Sequence, residues 1–184
     1  MRGNRSQHAV LGLLATGPRT GYEVQRDVTE ILGHFWRESD GQVYPELARL
    51  SHEGLAERVD ESERRGRRRY RYHITEDGLE QLAEWLGQPV VPTPPRHELL
   101  LKLFFGRHAR RGDLPRVLAD YRKSAQEAHD RLKQVAASVK AQSPDDPDLD
   151  WWLLTIDFGL RSLRAVLEWC DEAIPKVQAM EGRR

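Results

Sequence analysis

Arg64, Arg65, Arg67, Arg68, Arg69 and Arg71 crowd one polar stretch around Gly66, and Gln42-Val43-Tyr44 stand a short way upstream. Guanidinium groups stay charged and fit phosphate oxygens, whereas a glutamine amide can pair bidentately with adenine and an apolar group can meet a thymine methyl. The first kind of contact supplies affinity with little sequence preference, and the second supplies the preference. Each neutralised phosphate steepens the fall of log K with log salt by about 0.9. A charge run is more often a plain solvated face, so the chemistry depends on which elements carry these residues.

Those elements can be built from local signals. Asp40 can cap a helix that holds Pro45 in its first turn, where a missing N–H costs nothing. Tyr44, Leu47, Ala48 and Leu50 recur at helical spacing and are expected to face a core, leaving Gln42, Val43, Glu46 and Arg49 pointing away. Gly54 ends this helix as a left-handed cap. Leu55 to Asp60 and Arg69 to Ile74 alternate roughly as strands, joined by the polar loop from Glu61 to Arg68, which makes a hairpin with a cationic tip. Thr75 then caps another helix whose first turn carries Glu76 and Asp77. Upstream, Ser6 can cap a helix containing Ala9, Val10, Leu13 and Leu14, which Gly17-Pro18 stops. Thr20 can cap a second, with Val24, Val28, Ile31 and Leu32 on one face. Three helices, a two-stranded wing and a fourth helix form the winged helix-turn-helix layout, in which the third helix enters the major groove and the helix before it crosses the backbone.

The same residues carry a resemblance. Gly21-Tyr22-Glu23, Trp36, Gly41-Gln42-Val43-Tyr44-Pro45-Glu46-Leu47-Ala48-Arg49-Leu50, Glu53-Gly54-Leu55, Gly66 to Tyr72 and Ile74-Thr75-Glu76-Asp77-Gly78 occur in an order that resembles the PadR family of bacterial transcriptional regulators. The likeness is close over the first half, and the second half resembles the larger, two-domain members in length and helical character. The resemblance implies a homodimeric repressor that binds an inverted repeat in double-stranded DNA and is released by a small effector, in some members a phenolic acid. Gln42 stands where many members carry serine, which would alter the bases read.

Composition bounds the rest. With 29 basic and 29 acidic residues the formal charge is zero, so any affinity for a polyanion must come from local clustering. A single cysteine, Cys170, excludes an internal disulfide, and His8, His34, His52, His73, His97, His108 and His129 lack close metal-ligand spacing. Neither a metal nor another cofactor is expected. No phosphate-cradling glycine loop, zinc signature or nucleophile elbow is present, so the chain reads as a non-enzyme. Residues from Met1 lead directly into an amphipathic helix and no apolar run approaches the roughly 20 residues of a membrane span, which points to a cytoplasmic protein without membrane contact.

Four prolines in the segment from Gly87 to Pro95 deny helix donors and favour a semi-rigid connection. The expected organisation is therefore a DNA-binding winged helix over 1–86, a linker over 87–96, and a helical dimerisation and effector domain over 97–184. In that last part Leu99, Leu100, Leu103, Phe104 and Phe105 mark a short helix that Gly106 can end, and Asp113 can cap a longer one. Leu118, Tyr121, Ala125, Ala128, Leu132, Val135 and Val139, then Leu153, Ile156, Leu160, Leu163, Leu167, Cys170, Ile174 and Val177, keep alternate steps of three and four. Pro175 should kink or end the second run. Two such helices joined by a short turn pack antiparallel and leave apolar surface that a second copy can cover, with Leu132, Ile156, Leu160, Leu163 and Leu167 as the expected interface.

The DNA-binding set read from the residues is Thr20, Gln42, Val43, Tyr44, Arg49, Arg64, Arg65, Arg67 and Arg68. Competing roles stay open: Tyr44 can be a buried aromatic, Gln42 merely solvated, and Arg49 paired with Glu46 or Glu53. Tyr121, Trp151, Trp152 and Trp169 can wall a flat ligand, although ordinary interface packing accounts for them as well. Two other functions fit the same pattern, a winged helix that binds protein and a DNA-binding regulator without ligand sensing.

Overall fold

The computed structural model describes residues 5–33, 35–36, 41–64, 67–90 and 96–183, with the backbone alone for residues 5, 61–64 and 67–69. It divides into two compact units, Met1–Pro92 and Thr93–Arg184, so the division falls inside the proline-rich segment.

In the first unit, α1 (Arg5–Ala15) is followed by the short strand β1 (Arg19–Thr20), α2 (Gly21–Asp27) and a π-helical turn over Val28–Leu32. Then come α3 (Val43–His52), β2 (Ala56–Arg64), β3 (Arg67–Ile74) and α4 (Glu76–Leu86). The core joins Val10, Leu11, Leu13 and Leu14 of α1 to Val24 and Val28, then to Val43, Leu47 and Leu50 of α3 and Ala56 of β2. Each of these larger side chains contributes about 1.5–3 kcal/mol by leaving water. The expected face of the second helix holds for Val24 and Val28, but Ile31 is exposed. A π turn carries more residues per turn than an α turn, so it rotates Ile31 off the apolar stripe.

The sheet has three strands rather than two, in the order β1-β3-β2, all antiparallel. Arg19 and Thr20 pair with Tyr72 and Arg71 because the chain is already extended where it enters the α2 cap. The hairpin is also longer than its apolar alternation suggests, since pairing continues through Ser62↔Arg69, Glu63↔Arg68 and Arg64↔Arg67 beyond a bulge between Asp60 and Ser62. Strand pairing is made by backbone groups, so a two-stranded ribbon can run past the last residue that shows a hydrophobic period.

Both caps of α3 shape the unit. Gln42 occupies the N-cap without a side-chain hydrogen bond, and the expected cap, Asp40, lies outside the described residues. At the other end the Leu55 and Gly54 amides donate to the carbonyls of Leu50 (2.9 Å) and Ser51 (3.4 Å), a Schellman closure that needs the positive φ of 76° at Gly54. Thr75 ties this corner to α4, since its hydroxyl donates to Gly54 O (2.8 Å) and accepts from the Gly78 amide (3.1 Å). Helix α3, the hairpin and α4 thus meet at one corner held by Gly54 and Thr75.

His8 of α1 stacks on Trp85 of α4 with ring centroids 4.5 Å apart, and its Nδ1 is buried without a partner among the described residues. Burial pulls the imidazole below its usual 6.5, opposed by Glu46 and reinforced by Arg49. A folded-state pKa below the unfolded value means that protonation favours the unfolded chain, so this contribution is intact above about 6.5 and is lost as pH falls below it. A His8→Phe variant keeps the stack without the titration. Its melting temperature should decline less between pH 7.5 and 5.5 than that of wild type, a pH range that brackets the usual imidazole value, and parallel profiles would refute the assignment.

The second unit contains α5 (Glu98–Phe104), a 3-10 turn over Gly106–His108, α6 (Asp113–Gln142) and α7 (Leu149–Gly182). Gly112, with φ 87°, rather than Asp113, takes the N-cap of α6. The long helices pack antiparallel through Leu118, Ala125, His129 and Leu132 on α6 and Ile156 and Cys170 on α7, all buried. Arg122 grips Asp171 across the pair with two hydrogen bonds, and the hydrogen-bonded guanidinium holds the Asp171 carboxyl below its ordinary range. Of the two outcomes expected at Pro175, a kink or an end, the end does not occur, since α7 runs on through it. The lost backbone bond is tolerated because both sides of the proline are anchored, at Asp171 and where Glu181 accepts from the Gly112 amide (2.9 Å).

Candidate nucleic-acid interface

Helix α3 is rotated relative to the phase expected from its sequence. Val43 is 1% exposed and Glu46 is 4% exposed, so both join Leu47 and Leu50 on the inner face, whereas Tyr44 is 54% exposed and Ala48 is also outside. The expected period holds and the expected phase does not, because a glutamate in isolation seeks water. The buried Glu46 carboxylate is instead held by Arg49 Nε (3.2 Å), and Arg49 Nη1 also meets Glu53 Oε1 (2.8 Å). Val43 is therefore corrected from a base-reading residue to a core residue. Gln42, Tyr44, Pro45 and Ala48 form the outward surface. Arg49 sits at the edge of that surface, committed to two carboxylates.

Thr20 is likewise corrected. It is buried, its hydroxyl accepts from the Glu23 amide (3.3 Å), and the Glu23 carboxylate accepts from the Thr20 amide (2.7 Å), closing a reciprocal capping box at the start of α2. Its work is to fix the helix that precedes α3, and its side chain is already engaged. Asp27, buried at the other end of α2, accepts from Arg19 Nε (2.8 Å) and Arg26 Nη2 (2.8 Å), and Arg19 Nη1 donates to the carbonyls of Leu13 and Gly17 (2.7 Å to Gly17). Removing one partner of such a buried pair typically costs about 3–5 kcal/mol. The sequence shows only an arginine and an aspartate eight positions apart, which nothing in the local pattern marks as a pair.

Arg64 and Arg67 form the last described pair of the hairpin, with Arg68 beside them opposite Glu63, while Arg65 lies outside the described residues. Arg71 is withdrawn from the cationic group, since its guanidinium donates to Pro18 O (2.9 Å) and lies 3.7 Å from the Glu23 carboxylate. Arg71 is therefore a tie between β3 and the start of α2.

In the second unit, Leu132 and Ile156 are buried within the single chain, and Leu160, Leu163 and Leu167 are half-buried on the same side of α7 as Ile156 and Cys170. Leu132 and Ile156 are thus used within the chain, because an alternation of three and four on two antiparallel helices is satisfied first by the chain itself, whereas Leu160, Leu163 and Leu167 keep part of their surface. What α7 leaves exposed is a different row, Trp151, Leu154, Phe158 and Trp169, with Phe158 at 69%. Trp152 is half-buried, and Tyr121 on α6 is partly exposed. Trp151 and Trp169 stand about 27 Å apart along one helix at 1.5 Å per residue, so the four aromatics do not wall one pocket within a chain. A cavity of about 520 Å³ between α5 and α6 is lined instead by Leu101, Phe105, Leu114 and Val117 with Lys102 and Arg116 at its rim. Among the described residues no helix is long and apolar enough to cross a membrane, and no three His, Cys, Asp or Glu side chains gather as for a metal ion.

Residues 10–84 match the transcriptional regulator PadR-like family, and residues 95–178 match the virulence activator alpha C-terminal family. The negative transcriptional regulator PadR of Bacillus subtilis (strain 168) is 28% identical over 177 residues, which cover 93% of this chain and 96% of that protein. The crystal structure of Bacillus subtilis PadR in complex with operator DNA has the same fold, with a TM-score of 0.84 at 23% identity over 96% of this chain and 99% of that one. The structure of the same protein in complex with p-coumaric acid gives a TM-score of 0.72 at 24% identity over 93% and 97% of the two chains. With a matching first domain, a matching second domain and near full-length likeness in sequence and fold to PadR, this chain carries a PadR-like transcriptional regulator domain over residues 10–84, joined to a second domain like that of the virulence activators.

Proposed function

We propose that the protein is a sequence-specific DNA-binding regulator, non-catalytic and cytoplasmic, that acts as a homodimeric repressor on an inverted-repeat operator and is released by a small aromatic effector. The observation that carries the reading is the outer face of α3, where Gln42 and Tyr44 are solvent-exposed at the helix start in the same rigid unit as an arginine ribbon. Gln42 and Tyr44 read base edges in the major groove, and Arg64, Arg65, Arg67 and Arg68 hold phosphates. The likeness to a relative solved on operator DNA supports the same docking. The chain is organised as a DNA-binding part over 1–86, a linker over 87–96 and a helical part over 97–184.

Footprinting on upstream DNA tests this reading, with two protected half-sites about 34–36 Å apart, one helical turn, as the result for a twofold dimer. The likeness to a relative solved with p-coumaric acid supports an effector arm, in which aromatic acids should raise the melting temperature and release the footprint. Gln42→Ala should leave total affinity for mixed DNA nearly unchanged while shifting base preference at one position per half-site, by about 1–3 kcal/mol of discrimination. Selection from a random duplex pool checks it, and an unaltered selected sequence would remove Gln42 from the reading set.

A further inference from the structure

Tyr44 combines two properties that rarely coincide, an exposed phenol and a ring pressed against backbone. A Cβ placed on Gly21 would lie 2.6 Å from Tyr44 Cε1, 3.2 Å from Cδ1 and 3.4 Å from Cζ, so the ring rests on the first residue of α2 at a distance only glycine permits. The seat itself is rigid. Thr20 and Glu23 lock the start of α2 through their reciprocal hydrogen bonds, and Glu23 is further held 3.7 Å from Arg71 of β3. Gly21 is buried, whereas Tyr44 is 54% exposed.

We propose that Gly21 is a positioning residue for DNA reading, acting through Tyr44: the missing side chain on α2 sets the direction in which the phenol of α3 leaves the surface. This role rests on the DNA-binding reading and adds a determinant on the helix before the reader. The three atoms nearest to a methyl group at position 21 all belong to Tyr44. The methyl meets the far edge of a partly exposed aromatic ring, which can swing aside at little cost to folding, and alanine is at least as good as glycine in a helix. The swing carries the hydroxyl off the line on which it donates to DNA. Gly21→Ala should therefore spare stability and harm recognition.

A double-mutant cycle decides the matter, using wild type, Gly21→Ala, Tyr44→Ala and the double variant on a fluorescent duplex selected by the wild-type protein from a random pool. Gly21→Ala and Tyr44→Ala should each weaken binding about tenfold with melting temperatures close to wild type, and the double variant should bind no worse than Tyr44→Ala alone. Once the ring is gone, the added methyl has nothing to displace. Losses that multiply in the double variant, to about a hundredfold, would show that Gly21 acts independently of Tyr44 and would overturn the proposal. Wild-type affinity in Gly21→Ala would overturn it too. A wild-type protein that selects no duplex would take down the DNA-binding reading together with this one, whereas strong wild-type binding with multiplying losses removes the Gly21 assignment alone.

Discussion

Replacing Leu154 and Phe158 together by Asp should leave the chain folded but monomeric and lower its affinity for operator DNA by roughly 10²- to 10⁴-fold, the avidity that disappears when two linked half-sites are bound one at a time. Both side chains are exposed in the single chain, so their replacement removes nothing from the α6–α7 seam. Across a twofold axis each substitution counts twice. Burying a leucine or phenylalanine is worth about 1.5–3 kcal/mol, so four such losses, with aspartates facing one another, exceed what a micromolar dimer can absorb. Sedimentation reads the mass, circular dichroism the fold, and a gel shift the affinity. A wild-type chain that sediments as a monomer at micromolar concentration, or a double variant that remains dimeric, would show that Leu154 and Phe158 do not hold two copies together. Leu160→Asp is the informative contrast: Leu160 is half-buried on the inner side of α7, so its replacement should unfold the hairpin before it reports on association.

The second large effect is electrostatic. Converting Arg64, Arg65, Arg67 and Arg68 to alanine should weaken binding across unrelated sequences alike and flatten the salt dependence by about 0.9 in slope for each phosphate that is no longer neutralised. A neutral chain gives long-range attraction little to work with, so a local cluster of arginines is where it is expected to arise. The fold should survive, because the hairpin ladder from Ala56↔Ile74 to Arg64↔Arg67 is made by backbone groups that alanine retains. Titrations at several salt concentrations separate this result from the Gln42→Ala outcome, which alters preference and not slope. An unchanged slope in the fourfold variant would assign phosphate binding elsewhere.

Element order was legible from the sequence because each boundary has a local chemical cause. Thr75 before Glu76 and Asp77 starts a helix, Gly54 at positive φ ends one, and the turn from Ser143 to Pro147 separates α6 from α7. The family resemblance was legible for the same reason, being carried by ordered residues at those boundaries. The phase of a short helix is a weaker signal. With Val43, Tyr44, Leu47 and Leu50 all apolar in α3, two faces compete, and the choice turns on whether Glu46 can be buried, which depends on Arg49 closing over it.

By itself, then, the sequence determined the order of the main helices and of the two hairpin strands, that the hairpin tip is cationic, and that two long amphipathic helices must pack together. Those features follow from propensity, capping and period, which act over a few neighbouring residues. Only the tertiary structure decided that Val43 turns inward and Tyr44 outward, that Thr20 serves as a cap and Arg71 as a tie, and that Trp151, Leu154 and Phe158 rather than Leu132 and Ile156 remain uncovered. Each of these depends on a partner distant in the chain, and burial is a property of pairs of surfaces that no single stretch of residues contains.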